Sequence, residues 1–225
     1  MSIVTLSVQD VFMDSLSPTV NENSNTHLYI GELNIGGSPE NTRTLIKATD
    51  LDNPSTIPAG STINSAKIRL WLLTDYSSNA RTCSVRRLKR AWVDSQGTYN
   101  EYSTGNSWQT AGGGGVNDRE TTPVGTRAMS DSETTGAFLE FTLDAASVQE
   151  MISGGSWTNN GWIMEVDTES DDCYEYASTA HATAAFHPEV VVDFTPPITQ
   201  MEAIFFRNPA SIQQLKFYKT KLGNI

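Results

Sequence analysis

Apolar and polar residues alternate with a period of two along most of this chain. Val4, Leu6 and Val8 alternate with Thr5, Ser7 and Gln9, which predicts an opening strand. Asp10–Asp14 extends it after a change of register. The clearest case is Ile63–Leu73. Ala66, Ile68, Leu70 and Leu72 share one face, and Lys67, Arg69, Trp71 and Leu73 share the other. The first set is the expected core face. Shorter strands are expected at His27–Gly31, Arg43–Ala48, Arg81–Arg90, Phe138–Leu143, Trp162–Val166, Cys173–Ser178 and Glu189–Phe194. In Arg81–Arg90 the residues Cys83, Val85 and Arg87 fall on one side, and the basic cluster Arg86, Arg87, Lys89 and Arg90 reads as a solvated strand surface paired with the acidic body. Between the strands lie Gly-, Pro-, Asn- and Ser-rich stretches: Ser15–Asn25, a turn at Asn34–Thr42, and loops at Asp50–Thr62 and Gly112–Gly136. A single helix is expected at Ala145–Ile152, capped by Asp144 and stopped by Gly154–Gly155. Many strands and one short helix predict an all-β fold, a jelly-roll-like antiparallel β-sandwich with a C-terminal extension.

The pattern breaks at Pro196–Pro197. Beyond it, Met201–Phe206 is apolar and strand-like, and Pro209–Lys219 has the composition of a helix. This divides the chain into a β-sandwich over 1–196 and an arm over 197–225. In the arm, Ile204, Phe205, Phe206, Arg207, Ile212, Leu215, Phe217 and Lys219 are the expected assembly residues. Charge follows the same division. Up to Phe194 there are 11 Lys/Arg against 25 Asp/Glu, a net of −14; from Thr195 onward there are four against one, a net of +3. An acidic body argues against nucleic-acid binding, where a basic footprint is expected. A basic arm on such a body can dock on another copy or on a partner. No window approaches the roughly 20 apolar residues that cross a membrane. The N-terminus, with no basic start and no apolar run before Asp10, does not read as a secretory signal peptide.

Ala91–Gly113 departs from strand periodicity. Trp92, Tyr99 and Trp108 stand within a run of Gly, Ser, Thr and Asn. That composition opposes a helix and predicts a long loop pinned by its aromatic rings. Trp92, Tyr99, Tyr102, Trp108 and Trp157 are candidates for a sugar-stacking platform, since an aromatic face suits a pyranose ring. The competing reading is that Trp92, Tyr99 and Trp108 anchor the loop to the sandwich. The four glycines Gly112–Gly115 lack the Lys-Ser/Thr and following helix of a phosphate loop, so turn or flexible-linker residues are expected.

Other chemistry is sparse. Asp167, Glu169, Asp171 and Asp172 place alternating carboxylates in a loop and are candidate Ca²⁺ ligands, although the Gly and closing Glu of the calcium-hand loop are missing. The alternative is a solvated acidic loop; no other cofactor is expected. His27, His181 and His187 show no metal-ligand spacing, and no Gly-x-Ser-x-Gly signature is present. Cys83 and Cys173 both fall in expected strands, as two buried thiols or as a pair.

An ordered series of segments resembles the DNRLRE-type β-sandwich domains, which are similar to carbohydrate-binding modules and to disaggregatase-related repeats. The series starts with Asp10–Asp14, Ser17–Asn21, His27–Gly31 and Arg43–Lys47. It continues through Ile57–Leu70, Ala91–Asp94, Gly97–Asn100 and Leu143–Asp144, and ends with Val148–Gly154, Asn159–Gly161 and Tyr176–Ser178. Tyr99 stands where the family usually has Trp, the Phe-Asp pair usual near Asp50 is absent, and the arm has no counterpart. The resemblance implies a binding or structural role and no catalysis.

Two expectations follow. One is a non-enzymatic virion structural protein, a phage capsid decoration or fibre-like surface protein assembled in the host cytoplasm. Its partners would be other copies and other virion proteins, reached through the arm, and it could also adhere to polysaccharide. The other is a carbohydrate-binding module of an exported polysaccharide-degrading system.

Overall fold

A computed structural model describes residues 1–35 and 38–198. Thirteen strands appear in chain order: β1 (Ser2–Leu6), β2 (Val8–Asp14), β3 (His27–Ile35), β4 (Ser38–Ala48), β5 (Thr62–Asp75), β6 (Arg81–Arg87), β7 (Glu101–Ser103), β8 (Asn106–Ser107), β9 (Gly125–Met129), β10 (Ala137–Leu143), β11 (Trp162–Val166), β12 (Cys173–Ala177) and β13 (Glu189–Thr195). All but β7 and β8 join one antiparallel sheet, ordered β1-β13-β5-β12-β3-β4-β11-β6-β9, with β10 added to β5 and β2 to β4.

Two long strands let the sheet branch and curl. Arg69 of β5 pairs with Glu140 on one side and Glu189 on the other, and Leu72 pairs with Ala137 and Tyr176, so β10 holds one edge and β13 and β12 share the opposite one. Thr44 of β4 pairs with Phe12 and Met164 in the same way. The curled sheet closes on one core built from all eleven of its strands, including Ile30, Ile46, Ile68, Leu70, Phe141, Trp162, Tyr176 and Val192. The all-β sandwich expected from the alternation is present, with the one short helix α1 (Ala145–Gln149). Asp144 caps α1 by accepting a hydrogen bond from the Ser147 amide at 2.9 Å. No helix among the described residues is long and apolar enough to cross a membrane.

Several expectations are corrected. The turn over Asn34–Thr42 is a hairpin: β3 runs to Ile35 and β4 begins at Ser38, with Leu33 opposite Glu40. Gly112–Gly136 holds an unexpected strand, β9, because Arg127, the one charged residue in Gly-Thr-Arg-Ala-Met, masks the alternation. Arg87 is not on a solvated surface. It is buried, and its guanidinium bridges Glu120 at 2.7 Å and Glu150 at 2.6 Å. Cys83 and Cys173 are free and buried. Burial pushes the Cys173 thiol up to about 12, so neither behaves as a reactive thiolate.

A second apolar cluster lies outside the sheet. Strict alternation would leave one face of β2, β4 and β11 to water. Instead Phe12, Ile46 and Trp162 face the main core, while Val11, Met13, Leu45 and Ile163 face outward into a cluster completed by Leu88, Trp92 and Trp108. These strands are covered on both sides, which is why β11 is buried at every residue. The cover is the aromatic segment.

Candidate functional site

The segment from Leu88 to Glu120 folds as a plate laid over that outer face. Trp92 and Trp108 are 6% and 5% exposed. Their indole N–H groups donate to the carbonyls of Asn160 (2.8 Å) and Thr98 (2.9 Å). Both rings are therefore anchored at the apolar body and at the polar tip. Tyr99 and Tyr102 pack against the same cluster from its rim, with Tyr102 5.4 Å from Trp108. Trp157 stands apart, half-buried, with its ring under the Arg87 guanidinium at 4.1 Å and its N–H on the Leu88 carbonyl. The structure thus groups Trp92, Tyr99, Tyr102 and Trp108 and separates Trp157 from them.

The glycines are seats in this plate and not a flexible linker. Gly112 and Gly113 are buried at φ 73° and 67°. A Cβ on Gly112 would lie 2.9 Å from the Tyr99 ring, and one on Gly113 would lie 3.1 Å from Ile163. Only glycine permits both the left-handed turn and this approach. The loop's backbone amides converge on a residue the sequence pattern did not single out. The fully buried Asp118 carboxylate accepts from Gln109 (2.8 Å), Thr110 (3.0 Å) and Gly115 (3.0 Å). The signal available was an acid three residues past the glycine run.

Charge locks the plate down. Buried Glu165, on the outer face of β11, receives Arg43 (3.4 Å), Arg86 (3.1 Å) and Arg119 (2.6 Å). Arg43 also grips Glu169 through two hydrogen bonds and donates to the Gly112 carbonyl at 2.8 Å. Burial would lower the Arg43 pKa, but Glu169 and Glu165 outweigh it and hold it above its ordinary value.

The acidic loop is dispersed. Asp167 accepts from the Thr82 amide and Glu169 is held by Arg43, while Asp171, at φ 52°, accepts from Asn34. Asp172 is fully buried, with its carboxylate on the Ser78 and Asn79 amides and the Arg81 guanidinium. Burial alone would raise its pKa, yet those partners hold it below the usual carboxylate range. Among the described residues no three His, Cys, Asp or Glu side chains are placed to hold a metal ion. The histidines, scattered in sequence, lie in one region without forming a side-chain cluster. The His27 and His181 rings lie 6.5 Å apart, and His187 Nε2 is 2.8 Å from the His181 carbonyl.

A cleft of about 540 Å³ opens on the plate, lined by Thr19, Thr98, Asn100, Glu101, Ser107 and Trp108. The Asn100 amide donates to the Pro18 carbonyl at 3.0 Å, which brings the Ser15–Asn25 loop alongside. Apart from Trp108 these residues were not legible as a site, because Thr98, Asn100, Glu101 and Ser107 lie between the aromatic anchors as ordinary loop residues and Thr19 comes from a separate loop. The residues expected to serve assembly, Ile204, Phe205, Phe206, Arg207, Ile212, Leu215, Phe217 and Lys219, lie outside the described residues. Comparison with protein-family models finds no match, and comparison with curated proteins finds none either.

Proposed function

We propose that this chain is a non-catalytic structural protein of a virus particle, a decoration or fibre-like module that displays residues 1–196 and anchors through the arm 197–225. The observation that carries this reading is the division of charge, −14 on the body and +3 on the remainder, at the point where the strand pattern ends. Opposite charges on one chain favour contact between copies. The use of charge inside the body supports it. Arg43 and Arg86 are taken up in ion pairs with Glu169 and Glu165, and the pairs Arg87–Glu120 and Arg119–Glu165 fix the plate to the sheet, which suits a rigid scaffold. Deleting residues 199–225 is expected to abolish incorporation into particles while leaving the body folded. Co-purification with particles measures this, and a truncated chain that still incorporates overturns the reading.

A second reading, a carbohydrate-binding module, is favoured by one observation. The cleft beside Trp108 is polar, rests on a rigid plate and presents Asn100, Glu101 and Thr98 together. These groups supply the donors and acceptors that sugar hydroxyls require. Under this reading the full chain binds a polysaccharide on a glycan array, and Asn100→Ala weakens binding at least tenfold without changing the thermal midpoint. An array without signal removes it.

A further inference from the structure

We propose that β1 is the docking edge for the arm of a second copy, with Met201–Phe206 of that copy adding as a strand along the side of Ser2–Leu6 that faces away from β13. The inference rests on the reading of 197–225 as an assembly arm, and names where the arm docks.

β1 ends the sheet order and pairs only with β13 among the described residues. Among the described residues nothing pairs with the backbone N–H and C=O groups of its other side, a ready template for another strand. Natural edge strands are usually blunted by Lys, Pro, inward charges or a bulge. β1, Ser-Ile-Val-Thr-Leu, carries none of these, and its register with β13 runs unbroken from Ser2↔Phe194 to Leu6↔Val190. Ile3 is 74% exposed on the outer face of this edge. It borders a groove of about 340 Å³ with Lys67, Glu140, Val191 and Asp193. A strand laid beside β1 would shelter Ile3 and reach this groove with alternate side chains.

The route of the chain selects the occupant. β13 ends at Thr195, beside the start of β1, and 27 residues follow Ile198. Their apolar stretch Met-Glu-Ala-Ile-Phe-Phe is of strand length and strand composition. The direction of exit selects a second copy over the chain's own edge. Pro197 lies against Gly60, whose added Cβ would be 3.7 Å from the proline Cβ. Gly60 leads into β5, which pairs with β13 on the side opposite β1. The arm therefore departs on the side away from its own β1, and Pro196–Pro197 stiffens that departure. The +3 arm meets the −14 body of the neighbour. A head-to-tail contact of this kind closes into a ring or propagates along a particle surface.

The test uses full-length chains carrying one new cysteine each. A chain with Ile3→Cys is mixed with a chain carrying Ala203→Cys, Ile204→Cys or Phe205→Cys, then oxidised without denaturant. Native Cys83 and Cys173 are buried and do not compete. The expected result is a disulfide-linked heterodimer for one of the three mixtures. Ile204→Pro is expected to lose the oligomer seen by light scattering, and Ile204→Val to keep it. No cross-link in any mixture, or a monomeric wild type, overturns the inference. If these fail while arm deletion still blocks incorporation, the arm anchors to a different protein and the proposed function stands.

Discussion

Replacing Trp92 with alanine is expected to lower folding stability by about 4 kcal/mol, the middle of the range for emptying a buried aromatic site. Trp92 is the centre of the outer cluster, in contact with residues of the plate and of the sheet beneath, and its indole N–H satisfies the Asn160 carbonyl. Alanine removes the ring and leaves that carbonyl unpartnered in a buried place, a further penalty of about 1–3 kcal/mol unless water enters. The loss is local first. With Trp92 gone, residues 95–120 keep Trp108, Asp118 and the Arg43 contacts but lose the anchor at their start, so protease cleavage within 95–120 should rise before global unfolding. Trp92→Phe, which keeps most of the packing, should lose only about 1–2 kcal/mol. Urea denaturation of the three proteins measures this. An alanine variant within about 0.5 kcal/mol of wild type, the range for a surface substitution, would show that Trp92 is not an anchor.

That expectation marks where sequence reasoning succeeds and where it stops. The period of two in Ala66–Leu72 located a core face because β5 obeys the simple rule of one side in and one side out. The rule failed for β11, Trp-Ile-Met-Glu-Val, where every residue is buried. Its continuous apolar character was the available signal that something covers the second face. Nothing local says that the cover is a segment some 70 residues earlier. The ion pairs of Glu165 are equally non-local: Arg43, Arg86 and Arg119 come from three separate stretches and meet only when β4, β11 and β6 align. Spacing rules for metals and triads search within short windows, so they could not find this hub. The cleft was hidden for a related reason. Thr98, Asn100 and Glu101 acquire a shared wall only because Pro18 and Thr19 arrive from another loop. Of the two readings of Gly112–Gly115, turn or flexible linker, the turn holds: Gly112 and Gly113 adopt left-handed φ and are small enough to lie against Tyr99 and Ile163.

The stability of the body is expected to fall as pH rises from about 4 to about 6, and Asp10 is one source of the fall. Asp10 is 3% exposed, between the β2–β4 pair and the Ser178–Pro188 loop. Burial pushes its pKa up to about 6, although its hydrogen bonds from the Thr179 hydroxyl (2.9 Å) and amide (2.8 Å) and the nearness of His187 pull the other way; Asp94 adds to the rise. The folded state therefore holds this proton more tightly than the unfolded chain, whose aspartate titrates near 3.8. Between these values the unfolded state binds fewer protons, so unfolding free energy decreases as pH increases. A shift of about 2 units corresponds to about 3 kcal/mol, absent below pH 4 and fully present as a penalty above pH 6. Asp172 works in the opposite sense, since its lowered pKa makes it a source of stability that is lost only as pH drops below the ordinary aspartate range. The two windows do not overlap, so Asp10 can be isolated by difference. Asp10→Asn keeps both contacts to Thr179, with the amide oxygen accepting from the Thr179 N–H and the amide nitrogen donating to its hydroxyl. This variant should match wild type at pH 4 and exceed it by up to about 3 kcal/mol at pH 7. Asp10→Ala should be weaker than Asp10→Asn at both, because Thr179 loses its partner. Urea midpoints at constant ionic strength measure the difference, and one that stays flat between pH 4 and pH 7 would show that the Asp10 carboxyl is not held protonated by the fold.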